Sequence, residues 1–217
     1  MRPVSKIKIA MLASDNGTNV ANFIEYFKLH DIIEISLVIS NNPDAYVLKR
    51  AANSKTPHLV IRKDEWNDRD HVMGLFKLSE IDFIVLAGYL LLIPEYLIEE
   101  YPNRIVNIHP ALLPKYGGKG MYGAIVHQKV IAAGENKSGI TIHVVSKDYD
   151  KGKILFQAKT KISDGETPET LATKIQKLEY EHYPRVVESL ILEEVLCLPK
   201  NIGTFSLDRF KLWGIKS

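Results

Sequence analysis

The residues best suited to chemistry lie in the segment Asn107–Pro114, where an amide and an imidazole stand two positions apart. The apolar residues just before this segment indicate the end of a buried strand. Side chains two apart on a strand point to the same face, so we expect Asn107 and His109 side by side, with Ile108 turned into the core. A hydrogen-bond donor would then stand next to a group that carries a proton near neutral pH.

Two prolines should hold this pair in place. Pro110 keeps His109 in extended geometry, and Pro114 prevents a helix from starting at once. The pair would lie on a stiff loop at the carboxyl end of a strand, where open α/β sheets bind ligands. A carboxylate that stabilises the charged imidazole must come from elsewhere in the chain. Asp148 and Asp150 are candidates, although spacing alone favours an exposed acidic turn for both.

A second candidate site is the polar turn Asn16-Gly17-Thr18-Asn19, between the first predicted strand and a helix. A helix N-terminus binds phosphate well, because its N–H groups are unpaired and its dipole is positive there. The turn matches neither a GxGxxG fingerprint nor a Walker loop, so a plain capped turn remains the alternative.

The elements that position these residues alternate between strand and helix in the first half of the chain, which predicts a parallel sheet. A cap at Thr167 and Pro168 in the first turn predict the start of a long last helix. The fold class is therefore α/β, a doubly wound and mostly parallel sheet with antiparallel strands near the C-terminal end. We predict strands at 6–13, 32–40, 58–62, 81–87, 103–109, 139–145 and 154–162. We predict helices at 20–29, 45–53, from Asp64 or Asn67 to Leu78, and at 90–100, 124–133 and 168–194.

Composition bounds the class of protein. The length of 217 residues suits one domain spanning 1–217, and a net charge of +2 with dispersed basic residues does not indicate nucleic acid as a partner. Cys197 is the only cysteine, so an internal disulfide and a multi-cysteine metal site are excluded. No signal peptide or membrane-spanning stretch is evident, and we expect a cytoplasmic protein that does not bind membranes.

Five motifs occur in an order that is more specific than any one of them. They are Asn16–Asn19, Val85–Tyr89, Asn107–Tyr116, Ser138–His143 and Asp150–Gly152. Together they resemble the folate-dependent formyltransferase family over about residues 5–195, and in particular the members that act on phosphoribosylglycinamide. The resemblance implies the Rossmann-like fold of that family.

The resemblance also implies site residues. Its catalytic trio matches Asn107, His109 and Asp150. Its substrate-binding positions match Gly17, Thr18 and Asn19 for the ribose phosphate, and Gln176 and Glu179 for the glycinamide portion. Its folate pocket matches Arg69, Leu90, Leu91, Leu92, Ile93, Asn107, Ser146 and Asp148.

The implied reaction transfers the formyl group of 10-formyltetrahydrofolate to the amine of 5-phosphoribosylglycinamide, a step of purine biosynthesis that uses no metal. The partners would be these small molecules, with the protein a monomer or homodimer. Residues 1–110 would bind the nucleotide phosphate, and 111–195 would bind folate and carry the catalytic groups. The tail 196–217, with Phe205, Phe210 and Trp213, is expected to pack back on the body.

Other members of the family remain as alternatives. A formyltetrahydrofolate hydrolase is expected to carry an additional N-terminal domain, and a methionyl-tRNA formyltransferase an additional C-terminal one. A sugar-nucleotide formyltransferase and a non-catalytic folate- or nucleotide-binding protein are further possibilities.

The sequence departs from the family pattern in three places. Asp15 stands where glycine is common, the segment Gly117–Gly123 is longer than the short form of this loop, and Lys151 replaces a glycine. His127 and Lys129 are candidates to replace basic contacts found elsewhere in the family.

Overall fold

The computed structural model describes residues 6–195, in which seven strands form one sheet flanked by helices. The predicted packing of Phe205, Phe210 and Trp213 falls outside the described residues. The strands are β1 (Ile7–Leu12), β2 (Ile33–Ser40), β3 (His58–Val60), β4 (Phe83–Leu86), β5 (Ile105–His109), β6 (Lys137–Val144) and β7 (Ile154–Lys161). The helices are α1 (Thr18–Phe27), α2 (Tyr46–Asn53), α3 (Arg69–Leu78), α4 (Glu95–Glu100), α5 (Ala124–Ala132) and α6 (Pro168–Val195).

The order of strands in the sheet confirms the predicted fold class. The order is β3-β2-β1-β4-β5-β6-β7, with parallel pairing from β3 to β5 and antiparallel pairing for β6 and β7. The chain builds outward from β1 to β3 and then returns to place β4 on the other side of β1. The loops after β1 and β4 therefore diverge at a topological switch point, where such sheets form a crevice.

Both faces of the sheet are covered, as the near-continuous apolar strands predict. Ile9 and Met11 of β1 pack into a core with α1, α2 and α6, and Ala10 and Leu12 pack into a second core on the opposite face, with α3 and α4. Tyr183 of α6 is fully buried, and its hydroxyl lies 2.8 Å from the carbonyl of Leu86 in β4 and 3.0 Å from that of Val106 in β5. Within residues 6–195, no helix has the length and apolar composition needed to span a membrane.

Two helices begin later than the predicted bounds. The cap of α3 is Asp68, whose carboxylate accepts from the backbone N–H of His71 at 3.0 Å, because residues 65–67 form a separate 3-10 turn. The helix expected within Leu90–Glu100, entered through Pro94, covers Glu95–Glu100 and has Pro94 as its N-cap. Pro94 disfavours helical geometry at the residue before it, and the N–H of Leu90 donates to Ser14 Oγ at 2.9 Å.

The predicted start of α6 is confirmed. Thr167 Oγ1 accepts from the backbone N–H of Thr170 at 3.3 Å, which satisfies one of the free N–H groups of the first turn.

Candidate active site

A cavity of about 950 Å³ occupies the crevice at the carboxyl ends of β1 and β4. Its walls come from the loops after β1, β4, β5 and β6, from the glycine-rich segment before α5, and from one face of α6. The volume lies in the range that holds a small-molecule ligand. Both halves of the chain contribute, because the sheet is continuous across them.

The register between β5 and β6 builds the centre of this cavity. Antiparallel pairing places Asn107 opposite His143, and His109 opposite Thr141. Asp150, in the loop after β6, lies 3.5 Å from His109 Nδ1 through one carboxylate oxygen and 3.5 Å from His143 Nε2 through the other. The structure thus brings the predicted trio together, and Asn107 and His109 share a face as predicted.

His143 is a member of this centre that the sequence reasoning did not assign. Its Nδ1 donates to the carbonyl of Val144 at 2.9 Å, so its Nε2 can accept from Asn107 Nδ2 at 3.1 Å. This fixes the orientation of the Asn107 amide and leaves its second N–H for a ligand. The signal was available in the alternation along β6, but using it required knowing which strand β6 pairs with and in which register.

His109 is 3% exposed and held from both sides. Its Nε2 donates to the carbonyl of Tyr116 at 2.7 Å, while Nδ1 faces Asp150 at a distance beyond a normal hydrogen bond. Burial lowers the pKa of His109, and this outweighs the charge of Asp150, which raises it. The imidazole of the free protein is therefore neutral. When it gains a proton, each nitrogen has an acceptor nearby, the carbonyl of Tyr116 at Nε2 and the carboxylate of Asp150 at Nδ1.

Asp150 is kept ionised by its neighbours. Burial raises the pKa of its carboxyl group, but the neighbouring rings of His143 and His109 and the backbone N–H of Gly118 together bring that pKa below its usual value. The Gly118 N–H donates to the carboxylate at 2.9 Å. A side chain at Gly152 would overlap the carbonyl of Val144, which explains the glycine two residues after the aspartate.

The contacts of His109 include two residues in a rarely populated backbone conformation. Tyr116 has φ 57° and Asp150 has φ 56°, both in the left-handed region. Strain of this kind is frequent where a chain must aim particular groups at a functional site. Here it aims one carbonyl and one carboxylate at the same imidazole.

Hydrogen bonds, and not the prolines alone, hold the loop after β5. Thr141 Oγ1 donates to the carbonyl of Ala111 at 2.7 Å and accepts from the N–H of Leu113 at 3.0 Å. Gln157 Nε2 lies 3.0 Å from the carbonyl of Leu113 and 2.9 Å from Thr141 Oγ1. The loop is thereby tied to β6 and β7, so His109 stands on a rigid base.

The predicted phosphate turn forms the start of α1 at the opposite wall of the cavity. Gly17 is the N-cap, with φ 70°, and Thr18 is the first helical residue. Arg50 of α2 donates to the backbone and side-chain oxygens of Asn16 at 2.8 and 2.9 Å. The N–H of Val47 donates to the carbonyl of Asp15 at 3.0 Å. Helix α2 therefore sets the shape of the turn, although Asp15 stands where the family commonly has glycine.

Gly17→Ala should damage this turn specifically. A Cβ there would overlap the side chain of Val47, and the left-handed φ costs a further ~1–2 kcal/mol for a residue other than glycine. We expect a several-fold or larger rise in KM for a phosphorylated substrate. Steady-state kinetics with each substrate varied in turn checks this. Gly134→Ala, which ends α5 at positive φ outside the cavity, is the matched control. Equal effects on both substrates, or an unchanged KM, would contradict the assignment.

Asn19, a predicted phosphate-binding residue, lines the cavity, and its side chain contacts α6. It is 8% exposed, and its Nδ2 donates to Glu179 of α6 at 2.8 Å, while its Oδ1 has no partner. Burial raises the pKa of Glu179, and the Asn19 amide opposes this shift.

The other predicted binding residues divide into two groups. The lining of the cavity includes Gln176, Glu179, Ser146, Asp148 and the segment Leu90–Ile93. Arg69 lies in the first turn of α3, outside the cavity lining, so its predicted folate contact has no support from the cavity.

Residues 7–187 match the family model described as formyl transferase. The chain belongs to the formyl transferase family. This formyl transferase is 38% identical over 186 residues to phosphoribosylglycinamide formyltransferase of Haemophilus influenzae, covering 83% of this chain and 85% of that protein. The predicted resemblance to the family is thereby confirmed.

Two further relatives extend the comparison. The formyl transferase is 36% identical over 194 residues to a chloroplastic phosphoribosylglycinamide formyltransferase of Arabidopsis thaliana, covering 87% of this chain. The match spans 66% of that relative, slightly less than two thirds of its length. The crystal structure of phosphoribosylglycinamide formyltransferase from Streptococcus pneumoniae TIGR4 aligns with TM-score 0.75 at 32% identity, over 85% of this chain and 99% of that one.

Proposed function

We propose that this formyl transferase moves the formyl group of 10-formyltetrahydrofolate to the primary amine of 5-phosphoribosylglycinamide. The products are tetrahydrofolate and formylglycinamide ribonucleotide, an intermediate of purine biosynthesis. The observation that carries the proposal is the convergence of Asn107, His109 and Asp150 on a cavity whose far wall is the N-terminus of α1. The names of the relatives support the same activity.

The formyl oxygen would be stabilised by fixed donors. The amine attacks the formyl carbon, a C–N bond forms, and the oxygen becomes negative in a tetrahedral intermediate. Asn107 has one N–H bonded to His143 and a second one for this oxygen. His109 becomes the other donor once it has accepted the proton of the attacking amine. One such preorganised donor contributes roughly 10²–10³ in rate, because it faces the position where charge develops.

The same reaction requires a proton transfer. The attacking amine loses a proton, and the folate nitrogen gains one as its C–N bond to the formyl carbon breaks. Burial keeps His109 neutral in the free protein, so it can accept a proton, and the charge of Asp150 stabilises the resulting imidazolium. We assign the exchange to Nδ1, because Nε2 is bonded to the carbonyl of Tyr116.

The two substrates would occupy different walls. The phosphate of the nucleotide would lie on the free N–H groups at Gly17 and Thr18, and Glu179 would accept hydrogen bonds from the nucleotide near its amine. The folate rings would pack on the segment Leu90–Ile93. Leu90 and Leu92 line the cavity and are 44% and 47% exposed, so they offer apolar surface that a bound folate would cover.

An absorbance assay for tetrahydrofolate release tests the proposal. The purified protein is given 10-formyltetrahydrofolate with and without 5-phosphoribosylglycinamide. We expect release only when the amine is present, in equal amount to formylated nucleotide. Release without the amine would identify a hydrolase, release only with an amino-sugar nucleotide a sugar-nucleotide formyltransferase, and no release a binding protein. Each of these three results would overturn the proposal.

A further inference from the structure

His127 is a buried histidine of the cavity that takes no part in the formyl transfer steps above. His127 lies in the fourth position of α5, lines the cavity and is 6% exposed. Its Nδ1 is buried without a hydrogen-bond partner. It is also close enough to His109 for a charge on one ring to act on the other. A buried polar group without a partner calls for an explanation, because it costs about 1–3 kcal/mol.

The burial of Nδ1 determines which nitrogen carries the proton. A buried N–H without an acceptor is rarer in proteins than an acceptor without a donor, so Nδ1 is the bare nitrogen and Nε2 bears the hydrogen. Burial and the neighbouring His109 both lower the pKa of His127. The N-terminal end of α5 also disfavours a positive charge. His127 is therefore a neutral donor at a fixed place, beside the reaction centre.

We propose that His127 donates from Nε2 to the glycinamide carbonyl of the nucleotide substrate, and so holds the attacking amine in place. This rests on the proposed function. The amine-bearing carbon is bonded directly to that carbonyl, so a donor that neighbours His109 reaches the carbonyl while the amine faces the formyl carbon. The carbonyl needs an N–H donor, and Asn107 and His109 are already assigned to the formyl oxygen. Glu179, an acceptor, cannot serve the carbonyl while ionised.

Two substitutions separate this role from packing. In His127→Gln the amide nitrogen reaches the position of Nε2, whereas in His127→Leu the volume is kept and the donor is lost. We expect His127→Leu to lower kcat/KM for the glycinamide nucleotide about tenfold, the loss of one hydrogen bond, with little change in KM for the folate. His127→Gln should recover most of that loss. Gln128→Ala, at an exposed neighbour on α5 outside the cavity, controls for changes in the helix.

A substrate analogue gives the second measurement. An acceptor nucleotide whose glycinamide carbonyl is reduced to methylene keeps the amine and the phosphate but has no acceptor for His127. Wild type and His127→Leu should use it with equal kcat/KM, each lower than wild type with the natural substrate. Equal loss in His127→Gln and His127→Leu, or a tenfold difference that persists with the analogue, would overturn the assignment. Wild-type transfer to the natural amine would still stand in either case, so failure here is distinct from failure of the proposed function.

Discussion

His109→Ala is expected to lower kcat for formyl transfer by at least about a hundredfold, since general acid–base groups contribute roughly 10²–10⁴. The variant loses both the proton carrier and one donor to the formyl oxygen. Steady-state rates at saturating concentrations of both substrates measure the effect. His71→Ala, at an exposed histidine of α3 outside the cavity, is the matched control and should retain wild-type turnover. Turnover near wild type in His109→Ala would end the catalytic assignment.

Loss of folding must be separated from loss of chemistry in this experiment. His109 is buried and bonded to Tyr116, so its truncation removes packing as well as a hydrogen bond. Thermal unfolding of the variant and its affinity for a folate analogue show whether the cavity survives. We expect folate affinity within a few-fold of wild type, because the Leu90–Ile93 wall lies on a different loop.

Asp150→Asn should have the second-largest effect, a fall in kcat of about a hundredfold or more. The amide keeps the shape of the carboxylate but removes the charge that stabilises the His109 imidazolium. Because Asp150 raises the pKa of His109 against the effect of burial, its neutralisation should lower that pKa further. An NMR titration of the imidazole measures the direction of this shift, and steady-state kinetics measures kcat.

The control for this charge removal is Asp164→Asn, at an exposed aspartate beyond β7 that lies outside the cavity. It changes the net charge equally and should leave both kcat and the His109 pKa unchanged. A His109 pKa that rises in Asp150→Asn would show that the carboxylate does not act on the imidazole as the 3.5 Å geometry requires. Unchanged turnover would remove Asp150 from the mechanism.

The sequence predicts the half of the site that is local. Asn107 and His109 follow from strand periodicity and Pro110, and the phosphate turn follows from a polar turn between an apolar strand and a helix. Asp150 needed the family resemblance, because forty-one positions separate it from His109 and spacing alone favoured an exposed turn. Contacts between residues so far apart along the chain depend on strand pairing, which sequence spacing does not specify.

What the sequence missed is set by packing between elements. His143 enters the site through the register of β5 against β6, and the Asn19 side chain contacts Glu179 because α6 packs against α1. Arg69 lies on α3, which packs on the opposite face of the sheet from α6, and its folate contact stays a prediction. No local pattern of residue types records these placements.

The central claim is that His109 and Asp150 act as one unit, and a double-variant cycle tests it most directly. Rates are measured for His109→Ala, Asp150→Asn and the double variant under identical conditions. Residues that act together lose activity non-additively, so the double variant should be no more than a few-fold slower than His109→Ala alone. Losses that multiply, leaving the double variant slower by the full product of the two single effects, would contradict the account.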